Sequence, residues 1–198
     1  AMFPLSPRAK SCVWMTLSMA LHFGGYEFAR SAALALFTSS ETGFSHPSAY
    51  PFAIGLVTPV SIVLLYWYGL ILKEHGPRKA LKTTQLVSIT VLTLLTLSLK
   101  GLGASSPISS KALVGLLFVF QNSYAHLLYS QQWSFLGSVM TPSEGTKWFS
   151  AIAGVSSLVC TLTATLVHSL ASVIGLLGLI LGTSVSLGIS LILADQAY

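Results

Sequence analysis

Six long apolar runs are the feature that most constrains the fold of this chain. Each is roughly 20 to 30 residues long, and about 20 apolar residues are what an α-helix needs to cross a bilayer. Short segments containing charged residues, serine, glycine or proline separate the runs. The runs cover residues 11–38, 49–72, 84–102, 112–140, 148–170 and 173–194.

Composition supports a membrane protein of helical type. Hydrophobic residues make up 53% of the chain and charged residues only 8%, whereas soluble domains are about 25% charged. The strict alternation typical of membrane β-barrels is absent from the runs. We therefore predict an all-α polytopic membrane protein with six transmembrane helices. A polar lead at 1–10 precedes a single transmembrane domain at 11–194, and 195–198 form the C-terminal end.

The bases predict an orientation. The net charge of +5 results from scarce acids rather than abundant bases, so nucleic acid is not an expected partner. With six spans, both termini and the loops 73–83 and 141–147 share one side. Positively charged loops face the cytosol, or the stroma or matrix of an organelle. The bases on the shared side are Arg8, Lys10, Lys73, Arg78, Lys79, Lys82 and Lys147, against Lys100 and Lys111 opposite.

The first run carries two opposite charges far from its ends. Glu27 and Arg30 are three residues apart, and at 100° per residue they share a broad helix face with His22 and Tyr26. An unpaired charge near the membrane centre costs about 2.5–3.5 kcal/mol. The pair is expected to face the interior of the bundle, either as a structural contact that fixes helix packing or as a substrate-binding or proton-coupling pair that lines a cavity.

The fourth run carries a second polar face. Isolated polar residues in membrane helices usually form interhelical hydrogen bonds of about 0.6 kcal/mol, but a whole face also fits a wet cavity or a bound head group. His126 could ligate a metal or the magnesium of a porphyrin-type pigment, although a lone histidine more often forms a hydrogen bond to a neighbour. No cofactor is certain; chlorophyll, a carotenoid or lipid is the expected class. The face consists of Asn122, His126, Tyr129 and Trp133, and Gln121, Gln131 and Gln132 add donors and acceptors.

Glycines predict close helix contacts. Gly178 and Gly182 have the small-xxx-small spacing of packed membrane helices, and Gly24 and Gly25 would let another backbone approach the first helix. The two cysteines, which lie in apolar runs, suggest neither a disulfide framework nor a metal site. The sequence contains no catalytic constellation, so we do not expect an enzyme.

The segment 69–79, GLILKEHGPRK, resembles the signature between helices two and three of the major facilitator superfamily. Its skeleton is a glycine, a basic-rich turn, a second glycine at Gly76, and then Arg78 and Lys79. Lys73 stands where the family has an acid. The resemblance implies one six-helix half of a transporter fold that in full holds its substrate between two halves near the midplane.

A second segment is similar to plastid and bacterial-parasite ATP/ADP carriers. Residues 133–141 (WSFLGSVMT) and 144–149 (EGTKWF) repeat an aromatic-rich helix end that runs into a threonine, an acid, a base and paired aromatics. Gly137 and Ser138 replace the Asn-Glu pair of those carriers, which argues against nucleotide exchange. A plastid location, in the thylakoid or the envelope, goes with this resemblance, and the opening Ala1-Met2 fits removal of a targeting peptide.

Two functions are expected from this sequence. The favoured one is a transporter-derived scaffold or accessory subunit of a larger membrane assembly, such as a photosystem, because one half lacks the machinery of alternating access. The alternative is a half-size transporter of a small anionic solute that pairs with a second copy and binds its substrate through Glu27, Arg30, Asn122 and His126. The expected partners are the bilayer and other membrane subunits or a second copy.

Overall fold

The computed structural model describes residues 7–102 and 107–197, and all of its regular structure is helical. The prediction of an all-α chain is confirmed. The ends of the predicted N-terminal lead and C-terminal segment lie outside the described residues, as do residues 103–106. The helical stretches are α1 (Pro7–Thr38), α2 (Ala49–Leu102), α3 (Pro107–Val139) and α4 (Pro142–Ala197).

The stretch α2 is two helices joined at Gly76, whose φ of 78° and ψ of 172° are not helical. In α3, Ser123 donates a hydrogen bond to the Val57 carbonyl at 3.1 Å, and Gln131 accepts one from Thr84 at 2.8 Å. These two positions of α3 are about 12 Å apart, whereas 57 and 84 would lie about 40 Å apart on a straight helix. The chain therefore folds back at Gly76, and residues 49–75 and 77–102 form a hairpin.

The stretch α4 folds back in the same way at Gly175, where φ is 73° and ψ is 169°. A Cβ on Gly24 would lie 3.0 Å from the Thr163 hydroxyl, and a Cβ on Gly25 would lie 2.7 Å from the Ser186 Cβ. Residues 163 and 186 would be about 35 Å apart on a straight helix. Adjacent glycines of α1 therefore contact both arms of a second hairpin, 142–174 and 176–197.

The described residues contain three stretches that are long and apolar enough to cross a membrane: Ala49–Gly101, Ile108–Val139 and Pro142–Ala197. The chain therefore has the helices of a multi-pass membrane protein, as predicted, but this criterion does not give the predicted six spans. Two of the stretches are the hairpins, and each is far longer than the roughly 20 residues that one crossing needs. The first predicted span is absent from the three because α1 is less apolar than the others.

The loops that separate the predicted spans are mostly helical in the structure. The charged segment 73–83 is helical on both sides of Gly76, because one glycine with a positive φ reverses the chain without a loop. The segment 141–147 is likewise the first turn of α4, where Glu144 accepts hydrogen bonds from the Thr141 amide at 2.9 Å and hydroxyl at 2.7 Å. This capping box begins the helix before the apolar run does.

Polar side chains concentrate inside the bundle and apolar ones outside it. The exposed apolar side chains include Phe52, Val63 and Leu158. Lipid tails solvate such a surface, while polar groups must find partners between the helices. The polar residues that could bind a ligand therefore lie mainly in the interior of the bundle and along one edge of it. The buried polar side chains include Ser18, His22, Thr84, Gln85, Gln121, Gln131, Gln132, Thr183 and Ser190.

Candidate functional site

The position of α1 in the bundle is set by the last arm of α4. The Ser18 hydroxyl donates to the Ser190 carbonyl, and the Ser190 hydroxyl donates to the Ser18 carbonyl, both at 2.8 Å. Ser186 donates to the Leu21 carbonyl at 2.7 Å, one turn farther along. These bonds cross an interface where Gly25 allows close approach, as the sequence predicted for Gly24 and Gly25. They fix the register of α1 and therefore the depth of His22.

His22 lies at the centre of a buried hydrogen-bond network. The Tyr124 hydroxyl is 2.7 Å from its Nε2, and the Gln132 Nε2 is 2.7 Å from its Nδ1. Gln131 contacts the ring at 3.3 Å through its Nε2, while its Oε1 accepts a hydrogen bond from the Thr84 hydroxyl at 2.8 Å. All five side chains are fully buried. The network therefore connects α1, α2 and α3 through polar atoms that are shielded from lipid and water.

The network can hold its protons in two ways. A neutral imidazole donates from one ring nitrogen and accepts at the other. When the Gln132 amide donates to Nδ1 of His22, the Nε2–H donates to the Tyr124 oxygen, and the Gln131 amide must turn so that its Oε1 rather than its Nε2 faces that N–H. When the Gln132 amide is turned so that its Oε1 accepts from Nδ1–H, the Tyr124 hydroxyl donates to Nε2 instead. Both arrangements keep the ring bonded on each side, which suits a structural lock as well as a proton relay.

Three buried amide oxygens near this level have no hydrogen-bond donor within the part of the chain that the structure describes. They are the Oε1 atoms of Gln85 and Gln121, together with that of Gln132 when its amide nitrogen faces His22. The amide nitrogens of the first two are used, by the Leu187 carbonyl at 2.7 Å and the Tyr26 carbonyl at 3.3 Å. A buried acceptor without a donor costs about 1–3 kcal/mol. The interior therefore contains hydrogen-bond acceptors for which the described residues supply no donor.

The charged pair of α1 lies at the edge of the bundle. The Arg30 Nη1 is 3.2 Å from the Glu27 Oε1, and the side chain of Arg30 is 57% exposed while that of Glu27 is 16% exposed. The expectation that the pair faces inward with His22 is therefore corrected. The broad face predicted for α1 is divided, because α3 covers its His22 side and leaves its Arg30 side open. Tyr26 lies at the boundary and is partly buried.

A groove of about 210 Å³ runs beside this pair between α1, α3 and the first arm of α4. Phe23 and Tyr129 form part of its wall, with ring centroids 4.8 Å apart. Glu27 supplies its carboxylate, so the groove combines aromatic walls with one charge. Its lining consists of Met19, Phe23, Glu27, Tyr129, Trp133, Ala153, Ser156, Ser157 and Cys160.

The polar face predicted for α3 faces outward. His126 and Tyr129 are exposed, and Asn122 is partly buried and donates to the Phe118 carbonyl of its own helix at 2.8 Å. The face that packs inside instead carries Tyr124 and Gln131, which bind His22. Tyr124 was not among the predicted site residues. The seven-residue spacing between Tyr124 and Gln131 could have indicated it, because this spacing places the two residues on one face of α3, opposite His126.

The predicted glycine pair of α4 does not contact another helix within the described residues. A Cβ on Gly178 would meet the Ile174 side chain, which belongs to the same hairpin turn, and one on Gly182 would meet no atom within 4 Å. The described residues also contain no group of three or more His, Cys, Asp or Glu side chains placed to hold a metal.

The chain matches no family model, no curated protein and no solved structure. The resemblances to the major facilitator superfamily and to the ATP/ADP carriers therefore stay predictions that rest on the quoted motifs.

Proposed function

We propose that this chain is a non-enzymatic scaffold or accessory subunit of a larger membrane complex. Its two hairpins, α1 and α3 form six membrane-crossing helices of a transporter-derived type, with both termini on the cytosolic or stromal side. A photosynthetic complex of the plastid is the proposed setting. The chain binds the complex through the edge that carries Glu27, Arg30, His126 and Tyr129.

The exposure of Arg30 is the observation that carries this proposal. Arg30 lies more than two turns, or about 12 Å, before α1 ends at Thr38, and its side chain is 57% exposed. Against lipid, a charge well inside the membrane costs about 2.5–3.5 kcal/mol unless it is paired or shielded. Glu27 supplies one contact, and a protein partner that covers the edge would supply the rest.

The neighbouring surface of α3 also indicates a protein partner at this edge. His126 and Tyr129 are exposed on the face that borders the groove of Glu27. Ionisable side chains of membrane helices rarely face lipid, so a surface that carries His126 beside a charged pair is typical of a protein contact rather than of a lipid contact. The lipid-facing sides of the hairpins, by contrast, carry Val63 and Leu158.

Site-specific photo-crosslinking in native membranes tests the proposal. A crosslinking residue in place of Tyr129 should form an adduct with another membrane protein, and the same residue in place of Val63 should label lipid alone. Both side chains are exposed, so reagent access is matched. Adducts at Tyr129 that contain only lipid would refute the accessory-subunit function.

The second candidate is a half-size transporter of a small anionic solute. The observation that favours it is the open groove of about 210 Å³ beside Glu27, which a second copy would close. Related architectures bind substrate between two halves near the midplane. Anion uptake by proteoliposomes that is lost in Arg30→Ala, together with Tyr129 adducts of the chain to itself, would favour this candidate over the first.

A further inference from the structure

A second concave site lies at the charged end of the α2 hairpin, away from the proposed binding edge. The two arms diverge there around Gly76 and leave a groove of about 300 Å³. His75 comes from the first arm, and Lys79 and Lys82 from the second, so three basic groups converge from two helices. The lining consists of Ile71, His75, Lys79, Lys82 and Thr83.

The two lysines of this groove have no acidic partner among the described residues. Neither ammonium lies within 4 Å of a carboxylate. Arg78, which directly precedes Lys79 in sequence, is turned to the other side of the arm, where it donates to Asp195 at 2.6 and 2.9 Å. Glu74 is the nearby acid, and it contacts His75 at 3.8 Å. The two lysines therefore give the groove a net positive charge, whereas the charge of the neighbouring Arg78 is neutralised by Asp195.

We propose that this groove binds the phosphate head group of an anionic membrane lipid. Basic pockets between membrane helices at the cytoplasmic or matrix side suit such head groups. The Thr83 hydroxyl can donate to a phosphate oxygen beside the ammonium of Lys79. The second arm also begins at this turn, and the N-terminal end of a helix favours an anion.

A lipid is the proposed source of the phosphate because the groove continues into apolar surface. Ile71 lies one turn before His75 on the first arm and forms the membrane side of the lining. Beyond it, Trp67 and Leu64 lie on the same side of the arm as Ile71, four and seven residues earlier, and are partly exposed, so acyl chains can lie along them. The head group and its tails would thus contact one continuous strip of α2.

The test is native mass spectrometry of the purified full chain, titrated in detergent with phosphatidylglycerol, phosphatidylcholine or inorganic phosphate. Lys79→Gln and Lys82→Gln should each weaken phosphatidylglycerol binding by about fivefold, and the double variant by about 25-fold, since one base near an anionic surface contributes about that factor. Lys73→Gln is the matched control. It removes the same charge from the same turn but not from the groove lining, so binding should stay within about twofold.

Several outcomes would overturn the proposal. Equal binding of phosphatidylglycerol and phosphatidylcholine would show that the groove does not recognise the charge of the head group. Unchanged binding by the double variant would place the lipid elsewhere. Inorganic phosphate that binds as tightly as phosphatidylglycerol would assign the groove to a free anion. In the unmodified chain, added salt should weaken phosphatidylglycerol binding but not phosphatidylcholine binding, which gives a readout independent of how the variants fold.

Discussion

A methyl group added at Gly25 should destabilise the bundle, and its cost can be worked out from the structure. The new Cβ would lie 2.7 Å from the Ser186 Cβ, whereas carbon atoms rest about 3.5–4.0 Å apart. α1 and the last arm of α4 would have to separate by about 1 Å. That movement would lengthen the hydrogen bonds from Thr183 to the Gly25 carbonyl and from Ser186 to the Leu21 carbonyl, both now 2.7 Å, beyond bonding distance.

The expected loss in unfolding free energy for Gly25→Ala is about 1–3 kcal/mol. Overpacking costs about 1–3 kcal/mol, and two interhelical hydrogen bonds contribute about 0.6 kcal/mol each. The higher helix propensity of alanine offsets about 1 kcal/mol of this. The assay is unfolding of the purified chain in mixed micelles by added sodium dodecyl sulfate, followed by circular dichroism.

Gly182→Ala is the matched control, because a Cβ at Gly182 would meet no atom within 4 Å. It should be neutral, or stabilising by up to about 1 kcal/mol. Ser186→Gly removes the atom that the new methyl group would strike, so Gly25→Ala should cost less in that background than in the unmodified chain. Equal stability of the Gly25→Ala and Gly182→Ala variants would refute the close approach.

Three further predictions concern other contacts. Tyr124→Phe removes the hydroxyl that lies 2.7 Å from Nε2 of His22 and should lower the unfolding free energy by about 1–3 kcal/mol in the same unfolding assay; no change would contradict the network. Gly43→Ala should impair folding, measured as the yield of monodisperse protein, because its Cβ would collide with the carbonyl of Phe37. Asp195→Asn should cost less than about 1 kcal/mol, because this ion pair is half exposed, and a larger loss in a salt-series unfolding experiment would contradict this.

The helices were predictable from apolar length, but the reversals were not. A run of about 20 apolar residues is visible in composition, and the charged segment at 73–83 contains the point at which the first arm of α2 ends. The sequence does not reveal that Gly76 reverses the chain with one residue while the surrounding segment stays helical. The reversal at Gly175 was even harder to predict, because this glycine lies inside an apolar run that was predicted to begin at residue 173.

The site was only partly predictable. Helical periodicity shows which residues share a face, but it does not show whether that face points into the bundle or outward. The spacing of His126 and Tyr129 placed them on one face of α3, but it could not say that this face points outward. The opposite face holds Tyr124, Gln131 and the apolar Leu128, and its mixed character resembles an ordinary core. What decides between the faces is the position of His22 across the interface, which depends on the register that Ser18 and Ser190 fix between α1 and α4.

The pair at the open edge should respond asymmetrically to loss of each partner. Arg30→Gln leaves the Glu27 carboxylate, only 16% exposed, without the guanidinium at 3.2 Å, and an unpaired charge in the membrane costs about 2.5–3.5 kcal/mol. Glu27→Gln leaves Arg30, whose side chain is 57% exposed and therefore less desolvated than that of Glu27. Arg30→Gln should therefore lower the unfolding free energy more, and the double variant should be more stable than Arg30→Gln alone. Equal losses from the two single changes would refute this asymmetry, and no loss in Arg30→Gln would show that Glu27 is solvated without its partner.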